Sequence, residues 1–404
     1  MCETYELARM LDYTTGALRR YPGEVALLEE TAAFLEALCG VNAAHRDEIQ
    51  TQQELSAFWN EMNDLKEAYR AETCAGVSGR RTVYTAGALA GRLEELAATV
   101  RRGIEKARKA GVAEAAPEAQ VCPAYFAYDV TDYTKDEAGI HPQHFALMRI
   151  PAFLEGPVRW LKLAAPLEEK RAMYAQVRAN ELYDKKLSMY RVNASLQNFS
   201  FELGRARTFT PGWLENASIW LHMEYKYLLE LLQCGLYREF FEDLHAACVP
   251  FLDPEMYGRS TLENSSFLAS SANPDKTIHG RGFVARLSGS TAEFLSIWRR
   301  MYFGEQPFAL EGDVLVCRLH PAIPAYLIGE ERTIGARFLG RTRVTYHMAD
   351  TADHIPGNYR VESIRVTRDG GAAQTVDGGV LSGALARELR DGLISSMEVT
   401  LCRP

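Results

Sequence analysis

Apolar residues recur at helical spacing through most of the first hundred positions. Tyr5, Leu7, Met10, Leu11 and Thr14 form one stripe, which Tyr21-Pro22-Gly23 breaks. Val25, Leu27, Leu28, Thr31, Phe34, Leu35 and Leu38 form a second, expected to end at Gly40 as a C-terminal cap. A third helix is expected over 48–72. A fourth is expected over 85–110, closing at Gly111, with Leu89, Leu93, Leu96, Val100 and Ile104 on one side. Its last turns carry Arg101, Arg102, Lys106, Arg108 and Lys109, which suit the negative pole of a helix dipole.

The texture changes over 122–163. Tyr125-Phe126-Ala127-Tyr128-Asp129-Val130 reads as a strand, followed by a polar turn and an irregular stretch through Pro151 and Pro157. Helices resume at Pro166, a good first-turn proline. The segments 214–233 and 236–248, divided by Cys234-Gly235, predict a helical hairpin, and 290–301 a further helix with Phe294, Leu295 and Trp298 inward. After Gly304 the helical period disappears. Val314–Leu319, Arg341–Tyr346 and Tyr359–Glu362 are β-branched or alternating runs bounded by glycine turns. The expected organisation is a helical region over 1–310 with a short β insertion near 122–163, then a β-rich domain over 311–404 of small-sandwich size. The paired helices fit an array of helical hairpins.

Composition narrows the classes. The 404 residues include 45 Lys+Arg and 53 Asp+Glu, a net charge of −8, with 47% hydrophobic and 24% charged residues. This is the balance of a globular chain rather than a disordered or fibrous one. The acidity argues against nucleic acid as a partner. Eight cysteines lie scattered without a CxxC pair, which in a chain of this length reads as buried reduced thiols. The N-terminus lacks the basic and apolar regions of a secretory signal, and no eighteen apolar residues run together. A cytoplasmic protein without a membrane partner is expected.

Candidate chemistry concentrates between 204 and 294. Arg205 and Arg207 are forks suited to carboxylate or phosphate oxygens. Pro211-Gly212 is a turn delivering Glu215-Asn216, and His222 follows amid Trp220, Met223 and Tyr225. The run from Tyr257 to Asp275, containing Glu263 and Asn264, is dense in short hydrogen-bonding side chains, as either a surface loop or a polar, sugar-binding pocket would be. Ser288-Gly289-Ser290-Thr291 precedes a helix, with Glu293 where a capping-box acid sits and Arg281 and Arg286 nearby. Such a helix start is either an ordinary cap or an anion site. Phe58-Trp59-Asn60-Glu61-Met62-Asn63-Asp64 sets carboxylates beside aromatics, an arrangement that can raise a pKa toward that of a general acid. His141 and His144 have the spacing of two metal ligands but no third, so no metal site is assigned.

At these clusters the chain resembles the inverting glycoside phosphorylases related to cellobiose phosphorylase. The likeness is carried by Pro211-Gly212 with Glu215-Asn216, Ile219-Trp220-Leu221-His222, Glu263-Asn264, Arg286-Leu287-Ser288-Gly289-Ser290-Thr291, Gly304-Glu305-Gln306-Pro307 and Leu319-His320-Pro321-Ala322-Ile323-Pro324. It is strongest from Arg205 to Pro324, and Trp59-Asn60 anchors the earlier part. The resemblance implies a mainly α fold, part of an (α/α)₆ barrel followed by a small β-sandwich-like domain. It implies phosphorolysis of β-glucosides or β-glucan oligosaccharides to sugar 1-phosphate, with one carboxylic acid, inorganic phosphate as co-substrate and no cofactor. His222, Ser288 and Gly289 fall on the phosphate-holding positions, with Arg286 beside them. Glu215, Asn216, Glu263, Asn264 and Arg205 would line the sugar side. The family's acid lies in a Trp-Asn-Asp segment; here Glu61 follows Trp59-Asn60, so Asp64 is the first choice for the acid and Glu61 the second. Family members are longer, so the chain reads as a C-terminal portion, with little or no activity expected of it alone. A homodimer, or an upstream half-barrel polypeptide as partner, fits that reading. A non-catalytic carbohydrate- or phosphate-binding module is the alternative.

Overall fold

A computed structural model describes residues 1–45, 49, 51–110, 120–137, 139–285 and 289–404. Two compact units emerge, one of 1–182 with 193–200, the other of 183–192 with 201–404.

In the first unit, helix Cys2–Arg20 packs on helix Ala86–Lys109. The buried face is Tyr5, Ala8 and Leu11 against Ala86, Leu89, Ala90, Ala97 and Ile104. Leu7 and Met10, expected in the apolar stripe, are exposed, because they lie off the helical arc that Tyr5, Ala8 and Leu11 share. Thr85 caps the second helix, its hydroxyl accepting from the Ala88 N–H at 3.2 Å. The expected second stripe divides. Glu24–Leu28 is a strand paired antiparallel with Arg81–Thr85, and the helix runs from Glu29 to Ala44, past Gly40. The extended backbone there is held by a partner more than fifty positions away, which local periodicity does not reveal. Helix Gln52–Thr73 opens on a capping box between Thr51 and Glu54. The expected helix ends at Glu48 and Gly111 lie outside the described residues.

The strand expected at 125–130 is longer, Phe126–Asp136, and pairs with Gly139–Arg149 rather than leading into an irregular stretch. Helices Glu155–Leu161 and Leu167–Ala179 follow, with Pro166 just before the second.

In the second unit, helix Leu221–Gln233 is buried on almost every face, as a central helix is. It forms the expected hairpin with Tyr237–Ala247 through the left-handed Gly235 and also packs on helix Gly289–Phe303. Phe294 and Trp298 are half-buried in the latter, whereas Leu295 is exposed. The stretch 214–220, expected as the first turns of the central helix, is instead a loop and a short strand. Leu214 and Ala217 take left-handed φ of 49° and 54°, and Ile219–Trp220 pairs with strand Ser265–Leu268. Strand Gly282–Ala285 completes this three-stranded sheet.

The C-terminal strands appear where expected. A five-stranded mixed sheet runs in the order Thr333–Phe338, Thr342–His347, Ile394–Cys402, Arg360–Arg368, Ala373–Asp377, with one parallel pair. Val344, Tyr346, Ile364, Val366, Met397 and Val399 are among its buried residues.

The barrel expectation fails. The described residues hold 12 helices, several small antiparallel sheets and the five-stranded sheet, with 43% helix and 25% strand, and no barrel closes. Nor is strand confined to an insertion and the C-terminus, since residues 24–28 and 81–85 spend apolar positions on a ladder between helices. All eight cysteines are free. Among the described residues no helix is long and apolar enough to cross a membrane.

Candidate functional site

His222 is the second residue of its helix, so its imidazole projects near the helix start. The ring lies directly on Gly289, the first residue of helix Gly289–Phe303. A Cβ built on Gly289 would come within 2.1 Å of His222 Cε1 and 2.2 Å of Nε2. Only glycine admits the imidazole this close. The edge of Trp220 meets the ring at 5.4 Å and 89°, and Glu293 Oε1 is 3.6 Å from Nε2. A ring donor thus stands at a helix N-terminus, whose first N–H groups have no intrahelical acceptor.

The helix start is locked from below. Asn264 donates to the buried Ser290 hydroxyl at 2.6 Å, Tyr225 donates to Asn264 Oδ1 at 3.2 Å, and the Val249 N–H donates to the Tyr225 hydroxyl at 3.2 Å. Burial pushes the Tyr225 phenol well above its ordinary pKa, so it stays a neutral donor.

Of the sequence-derived candidates, His222 and Gly289 are therefore brought together, and Asn264 supports them through Ser290. Arg286 and Ser288 lie outside the described residues. Arg205 forms a two-pronged pair with Glu215, at 2.9 and 2.5 Å, so the two charges face each other. Asn216 is fully buried and holds its own loop, donating to Phe209 O at 2.8 Å while its carbonyl accepts from Gly212 N at 2.7 Å. Gly212 has φ of 76°, and a Cβ there would lie 2.4 Å from Asn273 N. Glu263 is exposed, 3.5 Å from Arg259.

Asp64 and Glu61 belong to the first unit, both exposed on helix Gln52–Thr73, with Glu61 3.1 Å from His45 Nε2. Their neighbour Trp59 is itself exposed, so the apolar surroundings expected of a general acid are not built there. His141 pairs with Asp136 at 2.9 Å. Among the described residues no cluster of three or more His, Cys, Asp or Glu has the arrangement to hold a metal ion.

Two features escaped the sequence. Glu293 marks a helix start in the chain, yet it also faces His222. The second is a buried carboxyl group set beneath the central helix. Asp184 accepts from Ser271 N (2.7 Å), Ser271 Oγ (2.8 Å), Lys186 N (3.1 Å), Leu187 N (3.3 Å) and Arg191 (3.3 Å). Burial raises its pKa, but these donors outweigh it and hold the carboxyl below the usual range. Glu224 is fully buried, with one oxygen accepting from Tyr190 N at 2.8 Å and the other without a hydrogen-bond partner. Burial first, then the nearby Asp243 and Asp184, push it well above its ordinary value. Asp243 accepts from the Tyr190 hydroxyl at 2.6 Å. An acid inside a helix of Leu, Tyr and Met gives no signal that separates it from a solvated one, because its burial depends on residues 183–192 packing over it.

No family model and no curated protein sequence matches the chain.

Proposed function

We propose that the second unit binds inorganic phosphate where His222 meets Gly289, beside a carbohydrate, in the manner of a glycoside phosphorylase-like protein. The observation that carries this reading is the imidazole seated on a glycine at a helix start, a position no other residue at 289 permits. An anion there would gain a ring N–H and the positive end of a helix dipole. Ser288 and Arg286, adjacent in sequence, would add a hydroxyl and a charge. Glu263 and Asn264 would face the sugar, with the paired Arg205 and Glu215 at its edge, while the buried Asn216 holds their loop from within. The free cysteines and the acidic charge suit a cytoplasmic setting.

A second reading is favoured by the exposure of Asp64 and Glu61: the chain is a binding module without a working general acid. Both readings share the anion site and differ in turnover. Calorimetry with inorganic phosphate is expected to show binding that falls about tenfold or more in His222→Ala and in Gly289→Ala, the loss of one charge-assisted contact. Unchanged phosphate affinity in both variants removes the site. The isolated chain, given phosphate and a β-glucan oligosaccharide, is expected to release no sugar 1-phosphate. Release that stops in Asp64→Asn would restore the catalytic reading with Asp64 as acid, and release that stops in Glu61→Gln would transfer that role to Glu61.

A further inference from the structure

Between strands Thr342–His347 and Arg360–Arg368 the chain makes a loop with His354 buried in it. The imidazole bridges two backbone groups of that loop. Its Nε2 lies 3.2 Å from Ala349 N, and its Nδ1 lies 2.7 Å from Ala352 O. An amide N–H only donates and a carbonyl only accepts, so Nε2 must accept and Nδ1 must carry the proton. The backbone thereby fixes one neutral tautomer.

The backbone of His354 fastens the loop to a second segment. Its N–H donates to Ile323 O at 2.9 Å and its carbonyl accepts from Ile323 N at 2.8 Å, an antiparallel bridge of two bonds. Ile323 belongs to a strap, 321–327, that is tied to the helices of the second unit. Ala322 N donates to Met301 O at 2.7 Å, and the Tyr326 hydroxyl donates to Phe241 O at 3.1 Å. Next to His354, Asp353 Oδ1 accepts from Ala325 N at 2.7 Å. The charged groups facing the ring are Arg403, Asp350 and Asp353. Tyr359 lies 6.0 Å away, donating its hydroxyl proton to Pro321 O, and Pro321-Ala322-Ile323-Pro324 carries no titratable side chain. Arg403 grips Asp350 with two prongs, at 2.8 and 2.6 Å, so that carboxylate already has its counter-charge.

We propose that His354 is an acid-sensitive latch, which fastens the strap 321–327 to this loop while the ring is neutral and releases both once it is protonated. A proton added at Nε2 meets the Ala349 N–H, so a hydrogen bond becomes an opposition of two donors. The added charge also sits in a buried place. Burial above all holds the imidazole below its ordinary pKa, and Arg403 adds to the lowering. Donation to Ala352 O and the carboxylates of Asp350 and Asp353 pull the other way without reversing it. A group whose folded pKa is lowered supports the fold fully above its unfolded pKa. That support is lost as pH falls from the ordinary histidine value toward the folded one. Each pH unit within that window raises the ratio of open to closed latch about tenfold.

Hydrogen exchange on the full chain, read by mass spectrometry and corrected for the intrinsic effect of pH, tests the latch. Between about pH 7 and about pH 5, peptides covering 321–327 and 348–358 are expected to lose protection about tenfold, while those around Val344 keep theirs. His354→Gln has no titratable ring, so both peptides should exchange fast at either pH and the step should vanish. His347→Gln, which removes an exposed histidine of the neighbouring strand, should keep the step. Equal protection at both pH values in the wild type, or a step that survives in His354→Gln, overturns the latch. Slow deuterium uptake at the imidazole C2, read in the same peptides of the wild type, gives the titration of His354 itself and needs no variant to fold. Titration at or above the ordinary histidine value overturns the latch as well.

Discussion

Asp184→Ala is expected to lower the unfolding free energy of the chain by about 3–5 kcal/mol, the usual consequence of removing one partner from a buried ion pair. The carboxylate is fully buried and answers five donor groups: the backbone of Lys186, Leu187 and Ser271, the Ser271 hydroxyl and Arg191. Alanine would remove a charge partner of the mostly buried Arg191 guanidinium and the acceptor of three backbone N–H groups. Asp184→Asn keeps the shape and one acceptor oxygen, so its loss should be smaller. Urea unfolding followed by circular dichroism measures both. A loss below about 1 kcal/mol in the alanine variant, the level of an exposed ion pair, would show that the group is not buried as described. Because this carboxyl titrates lower in the folded state than in the unfolded chain, its contribution is present above the unfolded pKa and disappears as pH falls through the folded one.

Glu224 should have the opposite pH signature. Its folded pKa is raised well above 4.5, so the folded chain binds a proton that the unfolded chain releases. Stability from this group is therefore complete below the unfolded pKa and declines as pH rises toward the folded value, with a limiting slope of about 1.4 kcal/mol per pH unit. Glu224→Gln keeps an acceptor for Tyr190 N and cannot ionise, so the variant is expected to lose that slope and to gain on the wild type as pH rises. Urea midpoints at several pH values between 5 and 8 report the difference. Parallel curves for wild type and Glu224→Gln would mean that the carboxyl is hydrated and the burial wrong.

How far the chain could be read in advance depended on the range of the interaction involved. Thr85 as a helix start, the Cys234-Gly235 break in the helical hairpin and the strand around Val344 were all legible. Each follows from neighbours within a few positions: a capping hydroxyl, a left-handed glycine, an alternation of faces. The strand Glu24–Leu28 and the loop before Trp220 were not, because each is extended by pairing with a distant segment while its own apolar spacing also satisfies a helix. The barrel failed for a related reason. Helical stripes specify that helices exist and which face is apolar, but not the order in which those faces meet.

The candidate site shows the same division. Residue types suited to anions and sugars were visible as clusters, and so were His222 and Gly289 separately. Nothing in the chain says that the imidazole lies on that glycine, that Asn264 reaches Ser290, or that Arg205 and Glu215 cancel one another. Composition and short-range periodicity suffice to specify a globular, acidic chain with helices in its first three hundred residues and strands toward its end. Long-range packing was needed to show that the described helices close no barrel, that Glu224 is a buried acid and that four rings stack from Trp213 to Trp220. Burial and ring alignment arise from groups far apart in the chain, and their distances are set by packing rather than by spacing.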